Sequence, residues 1–251
     1  MVRVILHGAC GHMGHVVTNI VEEENDIEIV AGVDARNDGT HKYPVYQSIG
    51  EVKEEADVII DFSVALAATS LIEGAVEKKL PLVLCTTGLT NDQLALIDEA
   101  KEVIPVLRSA NMSLGINVLQ KLVADAAKIL GEAGYDIEIE EMHHKRKLDA
   151  PSGTALMLAD AANDALGGDY EYVYDRSSRK EPRPAKEIGM SALRGGTVVG
   201  EHKVIFAGVD EVITISHSAY SRAVFAKGAV SAAKYLCKMT PGLYSMRDVI
   251  G

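Results

Sequence analysis

The chain has 251 residues, enough for one or two domains that each bury a core. Apolar residues make up 47% of it and charged residues 24%, and no apolar run approaches the ~18 residues that a membrane span needs, so a disordered chain and a bilayer protein are both excluded. The formal net charge of -11 argues against general nucleic-acid binding, because a phosphate backbone would be repelled.

The cysteines and the N-terminal segment indicate the compartment. Cys10, Cys85 and Cys237 are too few and too far apart for a disulfide framework or a CxxC metal site. The N-terminal segment passes directly from a short apolar run to glycines, without the long apolar region and cleavage site of a signal peptide. We therefore expect a cytoplasmic protein in a reducing environment.

Short β-rich runs alternate with amphipathic stretches through the first half of the chain. Strands are predicted at residues 2–6, 27–33, 57–61, 80–85 and 104–107. The apolar spacing from Met13 to Val21 predicts a helix after the first strand, and the patterns over 66–79 and 91–102 predict two more. Strands and helices that alternate in this way form βαβ units. The first domain is therefore expected to be α/β, with a Rossmann-type parallel sheet covered on both faces.

The second half has a different pattern. It predicts a long apolar helix over 115–130, a strand over 136–142, a helix over 155–166, several strands within 187–219 and a final helix over 223–236. Residues 175–186 are polar and are expected to lack regular structure. These features predict a second, α+β domain with an open mixed sheet over residues 114–221. The first domain would then comprise residues 1–113 and 222–251.

A glycine turn follows the first predicted strand. Gly8, Gly11 and Gly14 lie where a dinucleotide site needs a tight turn and a pyrophosphate needs a helix N-terminus. Only the last two glycines match the common fingerprint, so the spacing alone also fits an ordinary turn. Asp34, 20 residues after Gly14, is placed to accept hydrogen bonds from a ribose, although a turn-forming aspartate is the alternative. Together, the turn and the carboxylate predict a dinucleotide site.

The residues beside Asp34 bear on the choice of cofactor. A carboxylate favours NAD because it repels the 2′-phosphate of NADP, whereas a nearby arginine accommodates that phosphate. In this sequence Asp34 is followed by Ala35 and Arg36. NADH is therefore expected to bind at least as well as NADPH, and Arg36 leaves the use of NADPH open.

A basic run, residues 143–147, precedes a helix start at 151–154. The run consists of His143, His144, Lys145, Arg146 and Lys147, with a charge of +3 when the histidines are neutral. A solvated loop is the ordinary explanation of such a run, but here the cations stand beside a helix N-terminus, and both attract carboxylates. We therefore expect a small dianionic substrate. No metal is expected, because adjacent histidines without cysteines or clustered carboxylates are poor evidence for one.

Several segments together resemble one known family. They are GACGHMG at 8–14, DFS at 61–63, TTG at 86–88, ANMS at 110–113 and, most specifically, EMHHKRKLDAPSGTA at 141–155. With these segments, the sequence resembles the 4-hydroxy-tetrahydrodipicolinate reductases, also called dihydrodipicolinate reductases, from end to end. The resemblance implies NADH- or NADPH-dependent reduction of 4-hydroxy-tetrahydrodipicolinate in the diaminopimelate pathway of lysine biosynthesis.

The resemblance also implies roles for individual residues. His143 would donate or accept a proton and Lys147 would donate one, while His144, Gly153 and Thr154 would bind the dicarboxylate substrate. A homotetramer that associates through the sheet of the second domain is implied as well. Cofactor contacts are implied for the glycine turn, the acid after the second strand and two further strand ends: Gly8, Ala9, Cys10, Gly11, His12, Met13, Asp34, Cys85, Thr86, Thr87, Ser109, Ala110, Asn111 and Met112.

Three positions depart from the residues that are frequent in this family. Ala35 stands where Arg is frequent, which removes a counter-charge for NADPH. Cys85 stands where Gly is frequent and Met112 where an aromatic residue is frequent, and both bear on the expected wall of the nicotinamide pocket, where Met still offers a polarizable surface.

Two alternatives remain open from the residues themselves. One is another Rossmann-type dehydrogenase of the aspartate pathway, such as a homoserine or semialdehyde dehydrogenase, which would not need the segment 143–154. The other is a non-catalytic NAD(H)-binding redox sensor, although no DNA-binding motif supports it.

Overall fold

The computed structural model describes all 251 residues, which form two compact units. The first unit comprises Met1–Leu114 and Ala223–Gly251, and the second comprises Gly115–Arg222. At both points where the chain passes from one unit to the other, the observed boundary lies one residue later than the predicted one.

The first unit is built on a seven-stranded sheet in which all neighbouring strands are parallel. The strands are β1 (Val2–His7), β2 (Ile27–Val33), β3 (Val45–Tyr46), β4 (Val58–Asp61), β5 (Leu82–Leu84), β6 (Pro105–Arg108) and β12 (Gly242–Tyr244). Their spatial order is β12-β6-β5-β4-β1-β2-β3. The helices are α1 (His12–Glu22), α2 (Ala65–Lys78), α3 (Asn91–Ala100), α6 (Ala223–Leu236) and α7 (Met246–Ile250), with a 3-10 turn at Ile49–Glu51.

Helices cover both faces of this sheet. On one face, α1 and α6 bury apolar side chains such as Val17 and Val230, and on the other, α2 and α3 bury Leu71 and Ile97. Because the strands are buried on both sides, their sequences are almost continuously apolar rather than alternating. The prediction of a Rossmann-type parallel sheet is confirmed.

The strands of the second unit are β7 (Asp136–His143), β8 (Glu171–Val173), β9 (Glu187–Arg194), β10 (Gly200–Ala207) and β11 (Val212–Ala219). They form a five-stranded mixed sheet with the order β11-β10-β7-β9-β8. Its strands β7 and β9 pair in parallel, as do β8 and β9, whereas β10 is antiparallel to both β7 and β11. The predicted α+β unit with a mixed sheet is therefore confirmed. The helices of this unit are α4 (Leu114–Glu132), whose first residue is the last of the preceding segment of the first unit, and α5 (Gly153–Ala165).

Strand β7 places two polar side chains on its buried face. Its residues alternate strictly in burial, so that Ile137, Ile139, Glu141 and His143 all point away from solvent. The two isoleucines join a core to which α4 and α5 also contribute. The strand continues one residue beyond the predicted 136–142, so His143, the first residue of the basic run, is the last residue of the strand and does not lie in a loop.

None of the seven helices combines the length and the apolarity that crossing a bilayer requires.

Candidate functional site

The glycine turn has no room for a side chain at two of its glycines. Gly8 has a φ of +80°, and a Cβ there would lie 2.6 Å from the carbonyl oxygen of Phe62. At Gly14 a Cβ would collide with the carbonyl oxygens of Gly8 and Ala9. Gly11 is the N-cap residue of α1, and no side chain caps the first turn of that helix. The turn therefore leads into an uncapped helix N-terminus, the arrangement that holds a pyrophosphate in dinucleotide sites.

Asp34 lies beside this turn. Its Oδ2 accepts a 3.0 Å hydrogen bond from the main-chain N–H of Cys10, and its Oδ1 accepts one of 3.1 Å from the N–H of Arg36. The structure thus brings the predicted ribose acceptor and the predicted phosphate turn together. His12 and Met13 are the first two residues of α1, while the Arg36 side chain is exposed.

The other predicted cofactor segments follow two neighbouring strands. One segment comes directly after β5 and the other directly after β6: Cys85, Thr86 and Thr87, and Ser109, Ala110, Asn111 and Met112. Because β1, β2, β5 and β6 are parallel, all four predicted segments lie at the same edge of the sheet. The strand order reverses at this edge between β1 and β4, which is where doubly wound sheets bind dinucleotides. The residues present therefore fit NAD(P)H.

A buried carboxylate, that of Asp61, to which the sequence patterns assign no role, stabilises this edge of the sheet. The Asp61 Oδ1 lies 2.8 Å from the Nδ1 of His7 and accepts a 3.0 Å hydrogen bond from the N–H of Ser63. The Oδ2 accepts a 3.2 Å bond from the N–H of Thr86. Burial would raise the pKa of Asp61, but these hydrogen bonds outweigh it and lower the pKa below its usual range. Asp61 thus stays ionised and holds the first residues of the segment after β5.

Glu141, His143 and Arg194 form a buried network in the second unit. The Glu141 Oε2 lies 2.6 Å from the Nδ1 of His143. The guanidinium of Arg194 donates to both carboxylate oxygens of Glu141, over 2.8 and 2.7 Å. The Oε1 also accepts a 3.0 Å hydrogen bond from the N–H of Ser152. Every acceptor position of this buried carboxylate is thus engaged, which fixes the ring of His143.

Burial and neighbouring charges set the protonation states of this network. Burial lowers the pKa of His143, and the positive charges of Lys147 and Arg194 act in the same direction against the opposing effect of Glu141. Burial would raise the pKa of Glu141, but the hydrogen bonds from Arg194 and His143 lower it. At neutral pH the pair is therefore a carboxylate and a neutral imidazole. Since Nδ1–H is donated to Glu141, the Nε2 of His143 is left as a proton acceptor.

His202 extends the network to the start of helix α5. Its Nε2 lies 3.1 Å from the Oγ of Ser152, which also accepts a 3.2 Å hydrogen bond from the N–H of Ala155 and so caps the helix. The rings of His202 and His143 meet edge to face, with centroids 5.1 Å apart. Burial, together with the nearby His143, lowers the pKa of His202 to about 4. His202 is thus neutral at physiological pH.

The predicted substrate ligands lie around this network. Lys147 pairs with the carboxylate of Asp149, at 2.8 and 2.9 Å. The Nδ1 of His144 is buried and has no hydrogen-bond partner. Gly153 and Thr154 are the first residues of α5, where the N–H groups carry the positive end of the helix dipole. A cation, a histidine and a helix N-terminus thus lie in the segment that directly follows the buried pair of Glu141 and His143.

The sequence patterns predict no role for Glu141, Arg194 or His202. The alternation of β7 could have revealed Glu141, because a carboxylate at the third of four buried positions on a strand must be paired. Nothing local could have revealed Arg194 or His202, since their contacts cross to β7 and to the start of α5 from other strands.

A nucleotide-binding parallel sheet, joined in one chain to a unit that carries a buried Glu–His pair among cations, defines a dinucleotide-dependent oxidoreductase. The family model "Dihydrodipicolinate reductase, N-terminus" matches residues 2–112, and "Dihydrodipicolinate reductase, C-terminus" matches residues 115–250. The chain belongs to the dihydrodipicolinate reductase family.

Individual relatives agree with this assignment. The 4-hydroxy-tetrahydrodipicolinate reductase of Caldanaerobacter subterraneus subsp. tengcongensis is 55% identical over 250 residues, covering 100% of this chain and 98% of that protein. The enzyme of the same name from Clostridium tetani is 48% identical, covering 98% and 96%. The fold is similar to that of a dipicolinate-bound dihydrodipicolinate reductase from Paenisporosarcina sp. TG-14, with a TM-score of 0.81 at 24% identity, over 98% of this chain and 97% of that one.

Proposed function

We propose that this protein catalyses the NADH- or NADPH-dependent reduction of 4-hydroxy-tetrahydrodipicolinate to tetrahydrodipicolinate, with loss of the 4-hydroxyl group as water, in the diaminopimelate pathway of lysine biosynthesis. The observation that carries the proposal is the 2.6 Å hydrogen bond between Glu141 and His143, within the segment most specific to the family. Relatives with 55% and 48% identity over nearly the whole chain bear the name of this activity.

The first unit would hold the cofactor. The turn from Gly8 to Met13 would bind the pyrophosphate, Asp34 a ribose, and the segments 85–87 and 109–112 the nicotinamide half. When bound, the reduced nicotinamide supplies the hydride. Ala35 offers no counter-charge to a 2′-phosphate, so we expect NADH to serve at least as well as NADPH.

His143 would exchange a proton with the substrate through its Nε2. A Cβ at position 200 would lie 3.1 Å from this atom, so glycine at that position keeps the space beside it open. The neutral ring is suited to take up a proton as a dianionic substrate approaches, because nearby negative charge raises the pKa of an imidazole. The protonated ring, held by Glu141, would then deliver the proton to the reduced substrate.

The two carboxylates of the substrate would bind the groups around this ring. Lys147 offers an ammonium group, His144 a buried ring nitrogen without a partner, and Gly153 and Thr154 the N-terminus of α5. Positive groups at these positions also stabilise the negative charge that develops on the substrate ring, and Lys147 is the second proton donor that we propose.

We further propose a cytoplasmic homotetramer that assembles through the sheet of the second unit. Strand β11 lies at an edge of this sheet and exposes Val212 and Ile213, as expected for a strand covered by a neighbouring subunit. Light scattering coupled to gel filtration tests this directly. A monomer at micromolar concentration would contradict it.

The proposed activity is tested by following oxidation of NADH and of NADPH side by side, with the substrate generated in place by the preceding synthase. We expect turnover with NADH, at least as fast as any turnover with NADPH. Homoserine and aspartate semialdehyde serve as control substrates and should give no turnover. Turnover with either control, or cofactor binding without turnover on the dicarboxylate, would overturn the proposal in favour of another dehydrogenase or a redox sensor.

A further inference from the structure

Three metal-ligating side chains lie together beside the glycine turn. One donor atom from each of Cys10, Asp38 and His41 can be chosen so that all three lie within 4.8 Å of one another. The proposed chemistry uses none of these side chains, because Cys10 contributes only its backbone to the turn. We propose that they form a binding site for a divalent cation of the zinc class, a site separate from the catalytic network of the second unit.

The donor set favours such a cation over other ligands. Thiolate, imidazole and carboxylate are the three kinds of ligand that Zn²⁺ takes in proteins, and a thiolate disfavours Mg²⁺ and Ca²⁺. The negative charge of the Asp38 carboxylate within the group also argues against a phosphate. Three protein ligands would leave the fourth position of a tetrahedral ion to water.

The spacing of the donors is compatible with coordination after a small movement. Around a tetrahedral Zn²⁺, sulfur, nitrogen and oxygen ligands lie about 3.3–3.6 Å from one another, given metal–ligand distances of about 2.0–2.3 Å. The three atoms must therefore approach by about 1 Å. Asp38 belongs to an exposed loop, residues 35–40, whose closure by this distance needs no repacking of the core.

His41 has the feature most typical of a metal ligand, a ring nitrogen without a hydrogen-bond partner. Its Nε2 is buried and has no hydrogen-bond partner, a costly state for an imidazole nitrogen. The ring is stacked between those of His15 and Tyr43, with centroids 4.9 and 4.7 Å away. The carboxylate of Asp38 is oriented as well, since its Oδ2 lies 3.2 Å from the Nε2 of His15. Outer contacts of this kind orient metal ligands before the ion binds.

A bound cation would compete with the dinucleotide, a consequence that rests on the proposed function. The N–H of Cys10 donates to Asp34, the proposed ribose acceptor, so the thiol of Cys10 lies next to the adenosine half of the cofactor site. Movement of the loop 35–40 onto an ion would change the entrance to the adenosine half of the cofactor site. By linkage, NADH and the ion then weaken each other's binding by the same factor.

Titration of the cofactor-free protein with Co²⁺ tests the site, because a thiolate ligand gives a charge-transfer absorption band. We expect one Co²⁺ per chain with this band, displaced by Zn²⁺. Cys10→Ser should abolish the band, and His41→Ala, which keeps the thiol, should weaken Co²⁺ binding by about tenfold or more. Cys237→Ser removes a cysteine from a different part of the chain and should change neither. A wild-type protein without the band, or a band that survives in Cys10→Ser, would overturn the site.

A second titration separates this inference from the proposed function. NADH affinity is measured with and without Co²⁺, and we expect the ion to lower it. If NADH binds normally and no thiolate band forms, the metal site is wrong while the cofactor site stands. If the thiolate band forms through Cys10 but the affinity for NADH is unchanged, the metal site is supported. In that case the proposed competition between the ion and NADH is wrong, and so is the placement of the adenosine half of the cofactor beside Cys10.

Discussion

Glu141 and His143 lie two residues apart on strand β7, and the Oε2 of the one is 2.6 Å from the Nδ1 of the other. Residues at this spacing share one face of a strand, here the buried face, so the contact is built into a single element. Arg194 neutralises the buried carboxylate from the neighbouring strand β9. Glu141 is therefore a positioning residue, which selects the tautomer of His143 and supports its positive form.

Replacing Glu141 by Gln should lower kcat on the order of 10²-fold, because the amide keeps the shape but loses the charge that favours a protonated His143. The limb of the pH–rate profile that belongs to His143 should move to lower pH, since Glu141 opposes the effect of burial on that pKa. The matched control is Glu140→Gln on the same strand, whose side chain pairs with Lys203 and should not affect the profile. A loss of thermal stability with an unshifted profile would show that Glu141 is only structural.

Lys147→Ala should lower kcat strongly while leaving the dissociation constant for NADH unchanged, because Lys147 belongs to the second unit and the proposed cofactor site to the first. Steady-state turnover and fluorescence titration with NADH separate the two quantities. Lys145→Ala is the control, since Lys145 is exposed in the same segment and has no proposed role. Equal losses of turnover and of NADH affinity would mean that Lys147 acts at the cofactor site.

Local sequence patterns predicted most of the fold. The apolar runs of the parallel sheet and the helices between them gave correct elements, because each is long enough to show its periodicity. Strands β3, β8 and β12, each of two or three residues, were missed because their pairing depends on the neighbours they meet in space. The same reason explains which site residues could be predicted. Those of the segment 143–154 are contiguous in sequence, whereas Arg194 and His202 contact this segment from β9 and β10, so no local pattern indicates their role.

The stability of the protein should depend on pH through His202. Its pKa in the folded state, about 4, lies below the ordinary 6.5, so the unfolded chain takes up the proton first as the pH falls. The contribution to the free energy of unfolding is therefore complete above pH 6.5 and is lost between pH 6.5 and about 4, at a cost of about 2–4 kcal/mol. Urea unfolding at several pH values should show that the free energy of unfolding falls more steeply with decreasing pH in the wild type than in His202→Gln. The same dependence of the free energy of unfolding on pH in both proteins would contradict this role of His202.

The use of NADPH should depend on Arg36. Asp34 repels a 2′-phosphate, and Arg36, two residues later in the chain, is a nearby cation with an exposed side chain. We expect Arg36→Ala to lower kcat/KM with NADPH and to leave kcat/KM with NADH unchanged. An enzyme that strongly prefers NADPH and is unaffected by Arg36→Ala would disprove this account of the pocket.

The role of His143 as the proton-exchanging group is the central claim, and His143→Gln tests it most directly. Turnover of the dicarboxylate and binding of NADH should be measured on the same preparation. We expect kcat to fall by about 10²–10⁴-fold, as for other general acid–base groups, and the dissociation constant for NADH to stay at its wild-type value. A kcat close to that of the wild type would remove His143 from the proton step and contradict the account.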